Sequence, residues 1–151
     1  MTKKQRRKTM FKLENCVSYI ATNASKNLAE GFDKKLKAYG ISRVQWTALY
    51  YIGRDEEMIQ KQLSDLMRIR ESSTTRLIDR MEKEGLIKRK NDPDNRRKVS
   101  LTLTEKGRDL RAESFHHGEE YSYYISQDVS DEDMKTFMKV LDLMIKRADE
   151  Y

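Results

Sequence analysis

The chain has 151 residues, 37% hydrophobic and 37% charged, the size of one ordinary domain, able to bury roughly 70% of its unfolded surface. No apolar run approaches the roughly 20 residues of a bilayer span, and the basic start Lys3, Lys4, Arg6, Arg7, Lys8 leads into amphipathic sequence unlike a secretory signal, so the expected home is the cytoplasm with no membrane partner. The net charge of +6 is unevenly held, with residues 60–104 at +5 and 105–151 at −5, a polarity that aims positive potential at a polyanion such as nucleic acid.

One proline and six glycines among many Lys, Glu, Leu, Met and Arg residues predict a mainly helical protein. From Met10 to Tyr39 the residues Leu13, Val17, Ile20, Ala24, Leu28, Phe32 and Leu36 recur at helical spacing, which predicts one long helix of roughly 45 Å, ended by Gly40. Such a helix outruns a domain this small, so part of its stripe is expected to pack on another chain. Ser42 is placed to cap a second helix whose buried face is Val44, Trp46, Leu49, Tyr50 and Ile52, ending near Gly53.

A short third helix is predicted at Gln60 to Met67 and a fourth at Glu71 to Glu84, with Thr74, Leu77, Ile78 and Met81 inward and Gly85 as the stop. Only Arg68, Ile69 and Arg70 separate them, the spacing of a helix-turn-helix. The period then changes to two: Leu86 to Arg89 and Val99 to Leu103 read as strands around the turn-forming tip Asn91, Asp92, Pro93, Asp94, Asn95. Thr104 caps a fifth helix reaching about Ile125, and Ser130 opens a sixth with Met134, Phe137, Met138, Leu141, Met144 and Ile145 on one stripe. The fold expected is mainly α with a small β-wing, a winged helix-turn-helix at 41–104 within one domain, flanked by helical regions at 9–39 and 105–151.

Several spaced motifs stand in this order: Gln62-Leu63-Ser64-Asp65-Leu66-Met67, then Ser72-Ser73-Thr74-Thr75-Arg76-Leu77-Ile78-Asp79-Arg80 through Gly85-Leu86-Ile87, then Asn95-Arg96-Arg97 and Leu103-Thr104-Glu105-Lys106-Gly107. Together they resemble the MarR family of bacterial transcriptional regulators across about residues 40–110. The resemblance implies a dimeric repressor that binds double-stranded DNA at a pseudo-palindromic operator and lets go on a small-molecule or stress signal.

In a helix-turn-helix the exposed N-terminal part of the second helix reaches base edges in the major groove. Here that part offers Ser72, Ser73, Thr75 and Arg76, with Arg80 further along; Glu71 also lies on it, and Asp79 and Glu84 are acids that could instead neutralise the two arginines. The wing tip resembles the family's Asp-x-Arg ahead of Leu-Thr, whose arginine enters the minor groove. Counting back from Leu103-Thr104 puts that arginine at Arg97 and the acidic position at Asn95, with Asp94 next door and Arg96 and Lys98 adding phosphate attraction.

A homodimer is expected, as two-fold recognition of half-sites requires, through Phe11, Leu13, Val17, Leu141 and Ile145. The resemblance also implies a cleft for a small aromatic or phenolic effector, for which Phe32, Trp46, Tyr50 and Tyr51 are the available aromatics, although rings at helical spacing also serve as core. Cys16 invites comparison with the peroxide-sensing branch, but alignment through Gln45 puts that branch's cysteine position at Ser18, so Cys16 reads as a small buried hydrophobe. His116 and His117 are adjacent and are expected on different helical faces, which argues against a metal site. No glycine-rich phosphate loop, nucleophile with a base or cofactor motif stands out, so no catalytic residue, metal or cofactor is assigned. The rival to a DNA-binding regulator is a winged-helix protein-interaction module without specific DNA binding.

Overall fold

The computed structural model describes residues 11–55, 57–91 and 99–151. They form a 3-10 turn at Leu13–Asn15, α1 (Val17–Leu36), a second 3-10 turn at Lys37–Tyr39, α2 (Arg43–Arg54), β1 (Met58–Ile59), α3 (Gln60–Met67), α4 (Glu71–Lys83), β2 (Ile87–Asn91), β3 (Val99–Leu103), α5 (Glu105–Ser126) and α6 (Asp131–Asp149). The chain divides into two compact units, Met1–Ser114 and Phe115–Tyr151. Among the described residues no helix is long and apolar enough to cross a membrane.

The single helix expected from Met10 to Tyr39 is broken. The backbone N–H groups of Asn15 and Cys16 close a 3-10 turn on Lys12 and Leu13, and Cys16 itself is extended before α1 begins. At 20 residues α1 measures about 30 Å, shorter than expected. Apolar spacing marks the side on which a helix is greasy and says little about whether its hydrogen bonds run unbroken. Only Phe32 and Leu36 of the stripe are buried, while Val17, Ile20 and Leu28 stay exposed. Gly40 ends the segment at a φ of 66°, the left-handed conformation that glycine adopts without strain.

The second helix is capped as expected. Ser42 Oγ accepts the Gln45 N–H at 3.3 Å while Gln45 Oε1 accepts the Ser42 N–H at 3.0 Å, a reciprocal capping box. Its buried stripe is Gln45, Ala48, Leu49 and Ile52, so Val44 is corrected to an exposed position and Trp46 and Tyr50 to half-buried ones. The helix also continues one residue past Gly53, to Arg54.

The sheet has one strand more than the sequence pattern predicts. Met58 and Ile59 pair antiparallel with Leu101 and Ser100, which makes β3 central in the order β1-β3-β2. A two-residue strand is too short for alternation to reveal. On the other edge Ile87 faces Leu103, Arg89 faces Leu101 and Asn91 faces Val99, so β2 starts one residue later than expected and runs two residues further. Leu101 is fully buried, as are Leu36, Leu49, Leu63, Ile78 and Met81. Each such side chain contributes about 1.5–3 kcal/mol of burial energy to holding α1 through α4 on the sheet.

The start of α5 explains why Leu103-Thr104-Glu105-Lys106-Gly107 belongs together. Thr104 Oγ1 donates to the Gly85 carbonyl at 2.6 Å and accepts the Gly107 N–H at 3.0 Å, and the Thr104 N–H reaches the Leu86 carbonyl at 3.1 Å. That approach is so close that a Cβ on Gly107 would stand 1.9 Å from the Leu86 oxygen. Gly107→Ala must therefore push α5 off the end of α4, and should lower the unfolding free energy by about 3 kcal/mol or more. Urea denaturation reads this directly, and a loss below about 0.5 kcal/mol, the size of a neutral surface change, would contradict the packing described.

Candidate nucleic-acid interface

The turn between α3 and α4 is closed by backbone chemistry. The Arg68 N–H bonds to the Asp65 carbonyl at 3.2 Å and the Ile69 N–H to the Ser64 carbonyl at 3.1 Å, a Schellman ending with Arg68 at a φ of 51° where glycine is usual. Such a conformation is sparsely populated for a residue with a Cβ, and the turn keeps it because two hydrogen bonds depend on it. At the other end of α3, Gln62 Oε1 accepts the Ile59 N–H at 3.1 Å, fixing where the helix starts.

On α4 the residues Thr74, Leu77, Ile78 and Met81 are buried, as expected from their spacing. Ser72, Ser73, Arg76 and Arg80 are exposed on the opposite side. Thr75 differs from its neighbours: it is half-buried, and its hydroxyl donates to the Glu71 carbonyl at 3.0 Å while accepting from Gln60 Nε2 at 2.7 Å. Its one proton is thus given to its own helix and its bond from Gln60 ties α3 to α4, a role no sequence pattern shows. Glu71 in turn is paired with Lys61 at 3.4 Å.

The acids that could have neutralised the arginines of α4 are used elsewhere. Asp79 and Glu82 both pair with Arg89 of β2, and Glu82 Oε1 also accepts the Arg89 backbone N–H at 3.2 Å. Burial works against the Arg89 charge, but the hydrogen bond to Asp79 and the charge of Glu82 outweigh it and raise its pKa above the ordinary value. Glu84 accepts from Gln45 Nε2 at 2.6 Å. Among the described residues neither Arg76 nor Arg80 has an ion-pair partner, so both present their charge outward. Sequence reasoning missed the Arg89 clamp, though a signal existed: Ile87 and Arg89 share a strand face, so an arginine there needs acids from the helix packed against it.

The wing-tip residues Arg96, Arg97 and Lys98, with Asn95, lie outside the described residues. Phe11, Leu13, Val17 and Ile145 are exposed, and Leu141 is half-buried on α6, a helix with no buried residue at all. The four aromatics form two ring pairs. Phe32 is buried edge-on against Trp46 with centroids 4.9 Å apart, and the Trp46 N–H donates to the Ser114 carbonyl at 3.2 Å. Tyr50 and Tyr51 sit edge-on at 5.1 Å, with the Arg54 guanidinium over Tyr51.

Cys16 is half-buried rather than buried, 3.2 Å from Ser18 Oγ, and that hydrogen bond lowers its thiol pKa. His116 and His117 were expected to diverge, yet their ring centroids are 3.8 Å apart.

The order of elements, the outward arginines and the wing sheet set the comparison with known proteins. The MarR family model matches residues 41–99, from the approach to α2 to the first residue of β3. The chain is 28% identical over 136 residues to the HTH-type transcriptional regulator BilQ of Clostridioides difficile, covering 89% of this chain and 92% of that one. It is 33% identical over 106 residues to YsmB of Bacillus subtilis, described as an uncharacterized HTH-type transcriptional regulator, covering 70% of this chain and 73% of the relative. The chain belongs to the MarR family of transcriptional regulators.

The MarR fold is shared with the S. aureus MepR–DNA complex at a TM-score of 0.82 and 20% identity, over 89% of this chain and 98% of that one. The matched MarR stretch contains the helix-turn-helix and the Arg89 clamp, which sets the recognition helix against the wing sheet. Thr75→Val separates an internal role of the hydroxyl from a contact with DNA. It keeps the side-chain shape, strands Gln60 Nε2, and should cost about 1–2 kcal/mol of stability in a urea titration while DNA affinity falls less than about threefold. A tenfold loss of DNA affinity at unchanged stability would return the hydroxyl to the DNA.

Proposed function

We propose that this MarR-family regulator is a dimeric repressor that reads a pseudo-palindromic operator with α4 in the major groove and the wing on the adjacent minor groove. The observation that carries the reading is the outward face of α4. Ser72, Ser73, Arg76 and Arg80 line it, and the nearby acids Asp79, Glu82 and Glu84 are held by Arg89 and Gln45. Arg76 then supplies base-edge or phosphate contact, Ser72 and Ser73 supply phosphate hydrogen bonds, and the Thr75 methyl is left as its contribution. Arg97 enters the minor groove, with Arg96 and Lys98 drawing in phosphates.

Residues 41–104 act as the DNA-reading lobe, and 9–39 with 105–151 as the dimerisation region. Phe11 at 75% exposure and Val17 at 51% would be costly to leave in water, as would the α6 face with Ile145 and half-buried Leu141. A second copy of the chain covers them. A small aromatic or phenolic effector, seated near Phe32, Trp46, Tyr50 and Tyr51, relieves repression. The protein works in the cytoplasm and performs no catalysis.

Arg76→Ala and Arg97→Ala should each weaken operator binding by about 1–3 kcal/mol and relax sequence preference, without changing the circular dichroism spectrum. Lys98→Ala should instead weaken binding to all duplexes alike and reduce the slope of log K against log salt by about 1. Unaltered affinity in both arginine variants, with normal spectra, would defeat the assignment and favour a protein-interaction role.

A further inference from the structure

Beyond the DNA-reading surface, α5 carries the chain's two histidines side by side, and both belong to the unit Phe115–Tyr151. The His117 Nδ1 lies 2.9 Å from Glu120 Oε2, and the rings of His116 and His117 stand 3.8 Å apart with 42° between their planes. One ligand atom from each of His116, His117 and Glu120 falls within 4.8 Å of the other two. Among the described residues no other trio of His, Cys, Asp or Glu is placed to hold an ion.

The geometry points to a divalent transition-metal site formed by His116, His117 and Glu120. Two imidazoles and one carboxylate are a donor set for Zn²⁺, Ni²⁺ or Cu²⁺, whereas Mg²⁺ and Ca²⁺ require oxygen donors. With metal–ligand bonds of about 2.0–2.2 Å in a tetrahedral arrangement, donor atoms sit roughly 3.4 Å apart. Closing the present spread of up to 4.8 Å therefore takes side-chain movements of about 1.4 Å at most. Glu120 stands one helical turn beyond the histidines, at i+3 from one and i+4 from the other, the separations at which side chains meet on a helix surface. A fourth position stays open for water or one further ligand, as in other three-ligand zinc sites. The ion would replace the His117–Glu120 hydrogen bond with a bond to each and clip that turn of α5 shut.

The chain holds no other histidine, so imidazole ligation in untagged protein can come from this pair alone. Calorimetric titration of chelator-stripped, dialysed full-length protein with ZnCl₂ should show one ion per chain. X-ray absorption at the zinc edge should carry the scattering signature of two imidazoles. His116→Ala and His117→Ala should each weaken binding at least tenfold, and Glu120→Gln should weaken it at least threefold, with helical content retained. His116 is exposed, so its variant keeps the test sound if the half-buried His117 does not tolerate replacement. No zinc uptake by the unaltered protein, uptake unchanged in His116→Ala, or an absorption spectrum without imidazole would each overturn the site.

Discussion

The C-terminal end of α4 is where the recognition helix, the wing and the fifth helix are fastened to one another. Gly85 turns the chain at a φ of 72°, and the Leu86 N–H reaches back to the Met81 carbonyl at 2.9 Å. Thr104 caps the exposed carbonyls of that turn, Gly107 lets α5 approach without a Cβ, and Lys106 Nζ reaches the Glu84 carbonyl at 2.8 Å. A few residues upstream, Asp79 and Glu82 grip Arg89 of β2. A DNA reader needs its recognition helix held at a fixed angle to its wing, and these contacts provide it with hydrogen bonds rather than loop length.

Charge works by subtraction on this surface. The α4 helix carries both signs, and its outward positive face exists because its acids are turned to other tasks. Asp79 and Glu82 satisfy an arginine that the sheet half buries, and Glu84 satisfies a buried glutamine on α2. Ion pairs this open to solvent on the acid side add little stability each, so their value lies in orientation and in leaving Arg76 and Arg80 without an ion-pair partner among the described residues. The apolar faces of α1 and α6 follow a similar logic at larger scale. They are periodic enough to form helices, yet little in their own unit covers them.

Much of this was readable from residue order. Ser42, Thr104 and Ser130 announce their helices by cap chemistry, and α3 and the start of α4 fall at the residues that spacing predicts. Val99 to Leu103 alternates as a strand should. What escaped the pattern depends on tertiary partners. Val44 and Ala48 exchange roles because the α2 face is set by what packs on it, and β1 exists because β3 offers two residues of free edge. The break at Cys16 is a local backbone event beneath a continuous apolar stripe. At the candidate interface, the arginines and serines were visible by position on a helix. The partners of Thr75 and Arg89 depend on tertiary packing: Gln60 lies 15 positions from Thr75, and Asp79 and Glu82 lie 10 and 7 positions from Arg89.

The proposed dimer must distinguish one DNA sequence from others, and fluorescence anisotropy of the purified protein on the duplex upstream of its own coding sequence measures whether it does. A scrambled duplex of equal composition is titrated in parallel, at low and near-physiological salt. Saturation is expected at two chains per duplex, with a preference of about a thousandfold or more that survives at the higher salt. Equal affinity for both duplexes that vanishes as salt rises, or saturation by one chain, would contradict that reading.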